Sequence, residues 1–291
     1  MASDGLHTIV SADGTAVVVR DLGGPDDREA PVLLFSHATG FHGEVWRPLA
    51  TELIGEYRCL AIDHRGHGLS AIPEDADLVW SSMGEDVAAV LDSELVGAGR
   101  VVHGIGHSMG GAALVLGADS RPGRFRSLWL YEPVIVAPGV LPPPGTPNPM
   151  ADGAARRRSS FESFDAALVN FAQKPPLDQL RADALRAYVE AGFAPQPDGS
   201  VVLRCSPTRE ASVYRGAPDS GAWSVVGHLT IPIAMVSGRQ ESFGPVAFMP
   251  AVVEILQRGT VREHPELGHF GPLENPTTMA HDVRSWVESL T

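Results

Sequence analysis

The chain has 291 residues, a length that permits a large buried core in one or two domains. Its formal net charge of −13 argues against binding of nucleic acid, which needs a basic surface, and against contact with anionic membranes. No run reaches the ~20 apolar residues of a membrane span, and the first residues lack the basic and apolar regions of a signal peptide. We therefore expect a cytoplasmic protein that binds neither nucleic acid nor membrane. Its two cysteines fit a reducing compartment, because Cys59 lies in an apolar run typical of a buried strand, which disfavours a disulfide with Cys205.

Short apolar runs alternate with helical patterns, as in a mostly parallel sheet with crossover helices. The predicted strands are Leu6–Val10, Ala16–Arg20, Val32–Ser36, Cys59–Asp63, Val101–Gly106, Ser127–Glu132, Ile231–Ser237 and Val261–His264. Several of these runs are apolar throughout, which is typical of strands covered on both faces. Helical spacing predicts helices over residues 83–95 and 246–256, and Asn275 followed by Pro276 predicts the start of the last helix. The pattern indicates an α/β fold with a mostly parallel eight-stranded sheet and helices on both faces.

This alternation changes after the sixth strand. Residues 138–149 are rich in proline, which disfavours both helices and central strands. Two helix-like stretches follow, over residues 161–173 and 182–192. We interpret residues 138–226 as a helical cap inserted into a core domain formed by residues 1–137 and 227–291. Caps inserted over an α/β sheet are common places for binding pockets.

A glycine-rich turn follows the fifth predicted strand. Its sequence is Gly106-His107-Ser108-Met109-Gly110-Gly111, and a helical run over residues 112–117 comes directly after it. This is the G-x-S-x-G pattern between a strand and a helix, in which a sharp turn exposes the serine hydroxyl above a helix N-terminus. Side chains in place of Gly106 or Gly110 would clash with such a turn. The context favours Ser108 as a nucleophile over an incidental serine in a glycine-rich connection.

With this turn and the loops described below, the chain resembles the α/β-hydrolase superfamily, in its branch of capped enzymes. The resemblance covers about residues 32–130 and 231–290, which is everything except the cap and the N-terminal hairpin. That branch includes small esterases, carbon–carbon bond hydrolases, epoxide hydrolases, dehalogenases and cofactor-free haloperoxidases. Epoxide hydrolases and dehalogenases of this fold attack with a carboxylate, so Ser108 argues against both activities. No cofactor is expected.

The loop Ser36-His37-Ala38-Thr39-Gly40-Phe41-His42, called the oxyanion loop below, follows the third strand. It resembles the superfamily's histidine–glycine loop, with alanine where glycine is usual. The resemblance implies that the backbone N–H groups of Thr39 and Met109 stabilise the oxyanion of the transition state. It also implies that His37 braces the loop, whereas the role of His42 stays open.

The turn Asp63-His64-Arg65-Gly66-His67-Gly68-Leu69-Ser70 resembles the superfamily's D-x-R-G-x-G-x-S motif, whose role is architectural. Asp63, His64 and His67 also allow a metal site to be considered. A hydrolytic zinc site usually needs more ligands at tighter spacing, so we favour the architectural interpretation and expect no metal.

Two further loops supply candidates for the base and the acid. Gly268-His269-Phe270-Gly271-Pro272 resembles the superfamily's catalytic histidine loop, and the order serine, acid, histidine leaves His269 as the general base. Glu241, after the seventh strand, stands where relatives usually carry aspartate and lies 28 residues before His269. The alternative is Glu132 at the end of the sixth strand, a position that some capped relatives use. We favour Glu241 as the acid and keep Glu132 as the alternative.

Aromatic residues of the oxyanion loop and the cap are candidates for the substrate pocket: Phe41, His42, Phe161, Phe164 and Tyr188. They indicate a small-molecule substrate that is mainly apolar. Arg156-Arg157-Arg158 in the cap could bind a substrate carboxylate, although a solvated basic turn is favoured.

The predicted function is that of a serine hydrolase that cleaves a carboxylic ester, lactone or thioester through an acyl-enzyme. Hydrolysis of a carbon–carbon bond and perhydrolysis are chemical alternatives that use the same residues. A ligand receptor or scaffold that keeps the site without turnover is an alternative of a different class.

Overall fold

The computed structural model describes residues 5–27, 29–73, 76, 78–141, 146–240 and 244–290. Within them the strands are β1 (Leu6–Val10), β2 (Ala16–Gly23), β3 (Val32–Ser36), β4 (Arg58–Asp63), β5 (Val102–His107), β6 (Phe125–Tyr131), β7 (Ser160–Phe161), β8 (Phe193–Pro195), β9 (Val201–Leu203), β10 (Ile233–Ser237) and β11 (Gly259–Glu263). The helices are α1 (Arg47–Ala50), α2 (Trp80–Asp92), α3 (Met109–Ser120), α4 (Pro149–Ala155), α5 (Phe164–Phe171), α6 (Ala182–Gly192), α7 (Pro207–Gly216), α8 (Ala222–Val226), α9 (Pro245–Ile255), α10 (Gly271–Glu274) and α11 (Pro276–Glu288). None of these helices is long and apolar enough to span a membrane.

Eight of the strands form one sheet in the order β1-β2-β4-β3-β5-β6-β10-β11. β2 pairs antiparallel with β1 and β4, whereas the remaining neighbours run parallel. The mostly parallel eight-stranded sheet that the sequence predicts is therefore confirmed. The carboxyl ends of the parallel strands meet at one edge, where ligands bind in open α/β sheets.

The two faces of the sheet are covered by separate hydrophobic cores. Leu33 and Phe35 of β3 join one core with α1 and α11, while Val32 and Leu34 join the other with α2 and α3. All five residues of β3 are buried, because successive side chains point to opposite faces and both faces are covered.

The last helix begins where the sequence predicts it. The Asn275 side chain accepts a hydrogen bond from the backbone N–H of Thr278 at 3.1 Å, and Pro276 occupies the first turn, where an N–H would have no partner in the helix. α11 then packs Val283 and Trp286 into the core.

The segment between β6 and β10, predicted as a cap, packs against the loops that follow β3 and β11. It contains α4 to α8 and also a three-stranded antiparallel sheet in the order β7-β9-β8. Helices α5 and α6 lie within the two predicted helical stretches, but the segment is not wholly helical, and Phe161, at the start of the first stretch, lies in a strand opposite Val201. Helical spacing of apolar residues is a local signal, whereas this pairing joins residues that are distant in sequence.

Candidate active site

Ser108 stands at the turn between β5 and α3. Its φ of 56° and ψ of −120° form a conformation that residues other than glycine rarely adopt. A Cβ atom at Gly106 would lie 2.7 Å from the Cα atom of Gly111. One at Gly110 would lie 2.3 Å from the carbonyl oxygen of Ser36. Both glycines of the motif are thus required by close backbone contacts, and the strained turn places Ser108 at the N-terminus of α3.

The His269 imidazole is bound by Glu132, which directly follows β6. The imidazole Nδ1 lies 2.6 Å from Glu132 Oε2 and donates its hydrogen to that oxygen. The other carboxylate oxygen accepts a 3.0 Å hydrogen bond from the backbone N–H of Gly238, at the end of β10. Because Nδ1 carries the hydrogen, Nε2 is left free to accept a proton.

The structure thus brings the alternative acid of the sequence prediction to the histidine. Glu241, the favoured acid, lies outside the described residues. β6 and β10 are neighbours in the sheet and end at the same edge, so both loops were reasonable sources of an acid. The two-sided bonding of Glu132, to His269 and to Gly238, involves residues far apart in sequence and has no local sequence signal.

Three side chains hold the backbone of the histidine loop. The Tyr131 hydroxyl donates to the carbonyl of Gly268 at 2.6 Å, and a Glu274 carboxylate oxygen accepts from the N–H of Gly268 at 2.9 Å. His107 Nε2 donates to the carbonyl of His269 at 2.8 Å. Burial, reinforced by the neighbouring imidazole, lowers the pKa of His107 well below its usual value and keeps the ring neutral. Sequence reasoning missed these anchors, although His107 occupies a variable position of the G-x-S-x-G motif.

His107 also connects the two predicted catalytic residues. It precedes Ser108 in the chain, and its ring centroid lies 4.8 Å from that of His269. Ser108 is 8% exposed and the His269 side chain is 31% exposed. Among the described residues no hydrogen bond joins Ser108 Oγ to the imidazole, and such catalytic hydrogen bonds often form fully only in the complex with substrate.

The two predicted oxyanion donors belong to segments that contact each other. In the part of the chain that the structure describes, the backbone N–H groups of Thr39 and Met109 have no acceptor, although both residues are buried. The two segments are tied together, because Ser36 Oγ donates to the carbonyl of Gly110 at 2.9 Å. Two unpartnered backbone donors can bind the oxygen of a substrate carbonyl, which is the role predicted for them.

His37 braces the oxyanion loop, as the resemblance implies. Its Nδ1 donates to the carbonyl of Ala38 at 2.8 Å, and its Nε2 accepts from the backbone N–H of His64 at 3.0 Å. Burial lowers the pKa of His37 well below its usual value, which keeps the ring in the neutral form that this bonding requires.

The turn after β4 is organised by Asp63. Its carboxylate accepts hydrogen bonds from the backbone N–H groups of Gly43 at 2.6 Å and Leu69 at 2.8 Å. It also pairs with Arg20 at 2.8 Å. Both histidines of the turn are buried, which lowers their pKa values to about 3 and about 4. Within the described residues, no group of three or more His, Cys, Asp or Glu side chains is arranged to hold a metal ion.

Phe41 of the oxyanion loop joins the cap to the histidine loop. Its ring centroid lies 5.0 Å from that of Tyr188 and 5.4 Å from that of Phe270. His42 contacts the carbonyl of Tyr188 through Nε2 at 3.1 Å, and the two rings are stacked. The structure thus brings together three of the predicted pocket residues, and Phe270, which sequence reasoning missed, packs against one of them.

The other two aromatic candidates lie in the hydrophobic interior of the cap. Phe161 is 2% exposed, and its ring centroid lies 5.5 Å from that of Phe171 and 5.7 Å from that of Phe193. Phe164 is partly buried against the same cluster. These rings stabilise the cap and hold it against the core.

Arg157 and Arg158 of the cap differ in exposure and in the groups that they contact. Arg158 is exposed and lies over the ring of Phe161, 4.2 Å from its centroid. Arg157 instead pairs with the buried carboxylate of Glu210 and donates to the hydroxyl of Tyr188 at 2.6 Å. The expectation of a solvated basic turn was therefore wrong for Arg157, whose side chain is only 19% exposed.

The geometry of this site agrees with the comparison to known protein families. The sequence model of the alpha/beta hydrolase family matches residues 33–282, which include the serine turn, Glu132 and His269. The chain belongs to this family. A solved structure of E-2-(acetamidomethylene)succinate hydrolase has a TM-score of 0.77, covering 97% of this chain and 98% of that chain at 22% identity. At that identity the likeness shows the shared fold.

Two curated relatives are similar in sequence. The 2-(acetamidomethylene)succinate hydrolase of Mesorhizobium japonicum is 29% identical, over 89% of this chain and 88% of its own length. The 3-oxoadipate enol-lactonase 1 of Acinetobacter baylyi is 36% identical, over 38% of this chain and 40% of the lactonase. The names of both relatives describe hydrolytic enzymes, on different substrates. This family member is therefore a hydrolase.

Proposed function

We propose that the protein is a serine hydrolase that cleaves a carboxylic ester, lactone or thioester of a small, mainly apolar substrate through an acyl-enzyme. The observation that carries the proposal is the 2.6 Å contact between His269 Nδ1 and Glu132 Oε2, beside the strained backbone of Ser108. We assign Glu132, in place of Glu241, as the acid of the triad.

The first half of the reaction forms the acyl-enzyme. His269 Nε2 removes the hydroxyl proton as Ser108 Oγ attacks the substrate carbonyl. The N–H groups of Thr39 and Met109 stabilise the negative charge on the carbonyl oxygen, and each such donor is worth roughly 2.7–4 kcal/mol when it is preorganised. The imidazolium then protonates the oxygen or sulfur of the leaving group as its bond to the carbonyl carbon breaks. The alcohol or thiol departs, or, for a lactone, the freed hydroxyl stays attached to the acyl group. Glu132 stabilises this imidazolium and holds the correct tautomer throughout.

The second half of the reaction releases the acid. His269 removes a proton from water as the water oxygen attacks the acyl carbonyl, and the same oxyanion donors stabilise the developing charge. Collapse of the intermediate returns the proton to Ser108 Oγ and frees the carboxylic acid.

The aromatic rings next to the histidine loop support an apolar substrate, since the ring centroid of Phe270 lies 5.1 Å from that of His269. Phe41, Phe270 and Tyr188 form a connected group of rings that joins the oxyanion loop, the histidine loop and the cap. Arg157 is paired with Glu210, so it does not offer a free cation to a substrate carboxylate. The likeness to an enol-lactonase supports cleavage at an acyl–oxygen bond.

The test combines covalent labelling with turnover. We expect a fluorophosphonate probe to label Ser108, with Ser108→Ala as the unlabelled control, and p-nitrophenyl esters of short acyl chains to be hydrolysed. The labelled residue is located by peptide mass spectrometry. Absence of both labelling and turnover would overturn the proposal in favour of a ligand-binding role, and turnover of β-diketones without any ester hydrolysis would favour carbon–carbon bond cleavage.

A further inference from the structure

We infer that Arg157 is a positioning residue of the oxyanion site: it neutralises the carboxylate of Glu210 beside the oxyanion loop and links that carboxylate to Tyr188, which contacts the same loop. The inference rests on the proposed serine hydrolase function. It assigns a role in the reaction to a salt bridge of the cap.

Glu210 lies against the backbone of the oxyanion loop. It is supplied by α7 of the cap and is 6% exposed. Gly40 has a φ of 80°, and a Cβ atom at Gly40 would lie 2.7 Å from Glu210 Oε1. The carboxylate is therefore in close contact with the residue that follows Thr39, whose N–H is a proposed oxyanion donor.

Arg157 compensates the charge of this carboxylate. Its Nη1 pairs with Glu210 Oε2, and its Nη2 donates to the hydroxyl of Tyr188 at 2.6 Å. The two paired side chains are 19% and 9% exposed, so water screens them weakly. Among the described residues no other lysine or arginine pairs with Glu210.

Tyr188 extends the network to the next two residues of the loop. Its ring packs on Phe41 with centroids 5.0 Å apart, and its carbonyl contacts His42 Nε2 at 3.1 Å. Glu210 and Tyr188 together therefore contact three consecutive residues of the oxyanion loop, 40 to 42, and Arg157 connects these two cap residues.

The opposite charges of Arg157 and Glu210 explain how this network would affect the reaction. Negative charge develops on the substrate oxygen only in the transition state, and one of its two proposed donors is the N–H of Thr39, the residue before Gly40. An uncompensated carboxylate in this weakly screened place would repel that charge, whereas the Arg157–Glu210 pair carries no net charge. Loss of Arg157 should therefore lower kcat much more than it raises KM.

The test is a double-mutant cycle on ester hydrolysis by the full-length protein, with Arg157→Gln, Glu210→Gln and the double variant. We expect Arg157→Gln to lower kcat about tenfold or more while KM changes less than about threefold, and the double variant to recover most of the loss, because the repelling carboxylate is gone. Arg158→Gln is the matched control, since it removes an exposed arginine from the same turn, and it should leave kcat and KM unchanged. Thermal unfolding of each variant shows that it is folded.

The cycle separates the two hypotheses. A double variant as impaired as Arg157→Gln would show a purely structural role and overturn the inference. Equal activities of Arg157→Gln and Arg158→Gln would also overturn the inference, although the proposed function would stand. A wild-type protein without labelling or turnover would refute the proposed function itself. If Arg157→Gln does not fold, Arg157→Lys keeps the charge: a kcat within about threefold of wild type supports neutralisation, and a tenfold loss in the folded Lys variant contradicts it.

Discussion

The catalytic loops and the cap hold their functional groups by different means. Around the serine, backbone contacts dominate: the Gly110 backbone lies too close to Ser36 to admit a Cβ atom, and Glu132 binds the N–H of Gly238. In the cap, side chains dominate, as in the Arg157–Glu210 pair and the packed aromatic rings. Backbone contacts tolerate little change, whereas side-chain contacts can be exchanged. We therefore expect the proposed chemistry to depend on the residues at the sheet edge, and the cap to adjust its rate.

The largest effect should come from the acid of the triad. We expect Glu132→Gln to lower kcat by about 10⁴, because the amide favours the wrong imidazole tautomer and cannot stabilise the imidazolium. Steady-state hydrolysis of a p-nitrophenyl ester measures the loss. Glu241→Gln is the matched control and should remain close to wild type. If Glu241→Gln loses most of its kcat and Glu132→Gln is nearly unaffected, the acid of the triad is Glu241, in the loop after β10.

Acid should lower the stability of the protein through its buried histidines, which lie outside residues 138–226. Burial lowers the pKa of His67 to about 4 and that of His64 to about 3, from 6.5 in the unfolded chain. Below pH 6.5 the unfolded chain therefore binds protons that the folded chain does not. The free energy of unfolding should fall as pH falls, by about 1.4 kcal/mol per pH unit for each such histidine, down to its folded pKa.

Urea denaturation at pH 7 and pH 5 measures this loss. The stability contributed by the neutral histidines is fully present above pH 6.5, so a curve at pH 8 serves as the control. A free energy of unfolding that stays constant between pH 7 and pH 5 would contradict the assignment of buried neutral rings in the sheet domain.

The smallest effect concerns the anchor of the histidine loop. His107→Leu removes the hydrogen bond to the carbonyl of His269, and we expect kcat to fall about tenfold to a hundredfold with little change in KM, because the imidazole is less well placed. His107→Gln keeps an N–H donor and should recover much of the activity. If both variants lose the same activity, packing of the ring and not the hydrogen bond sets the effect.

Much of the fold and of the loops around Ser108 and His269 could be predicted from short stretches of sequence. The serine turn between a strand and a helix and the start of α11 at Asn275-Pro276 have local sequence patterns. The bracing by His37 was implied by the resemblance to the superfamily, since one of its two hydrogen bonds reaches the distant His64. The eight-stranded sheet followed from the same kind of signal, because strands covered on both faces are apolar throughout.

The tertiary structure decided what joins residues distant in sequence. It brought the Glu132 carboxylate to the His269 imidazole, paired Phe161 with Val201 where the predicted helix was expected to begin, and brought Arg157 to Glu210. The sequence by itself determined the fold class and the strand–turn–helix around Ser108, since these follow from the period of apolar residues and from local backbone stereochemistry. The histidine loop was predicted from its resemblance to the superfamily. The choice of acid and the role of the cap depend on which side chains meet at the sheet edge. These side chains are far apart in sequence, so only the folded structure shows which of them meet.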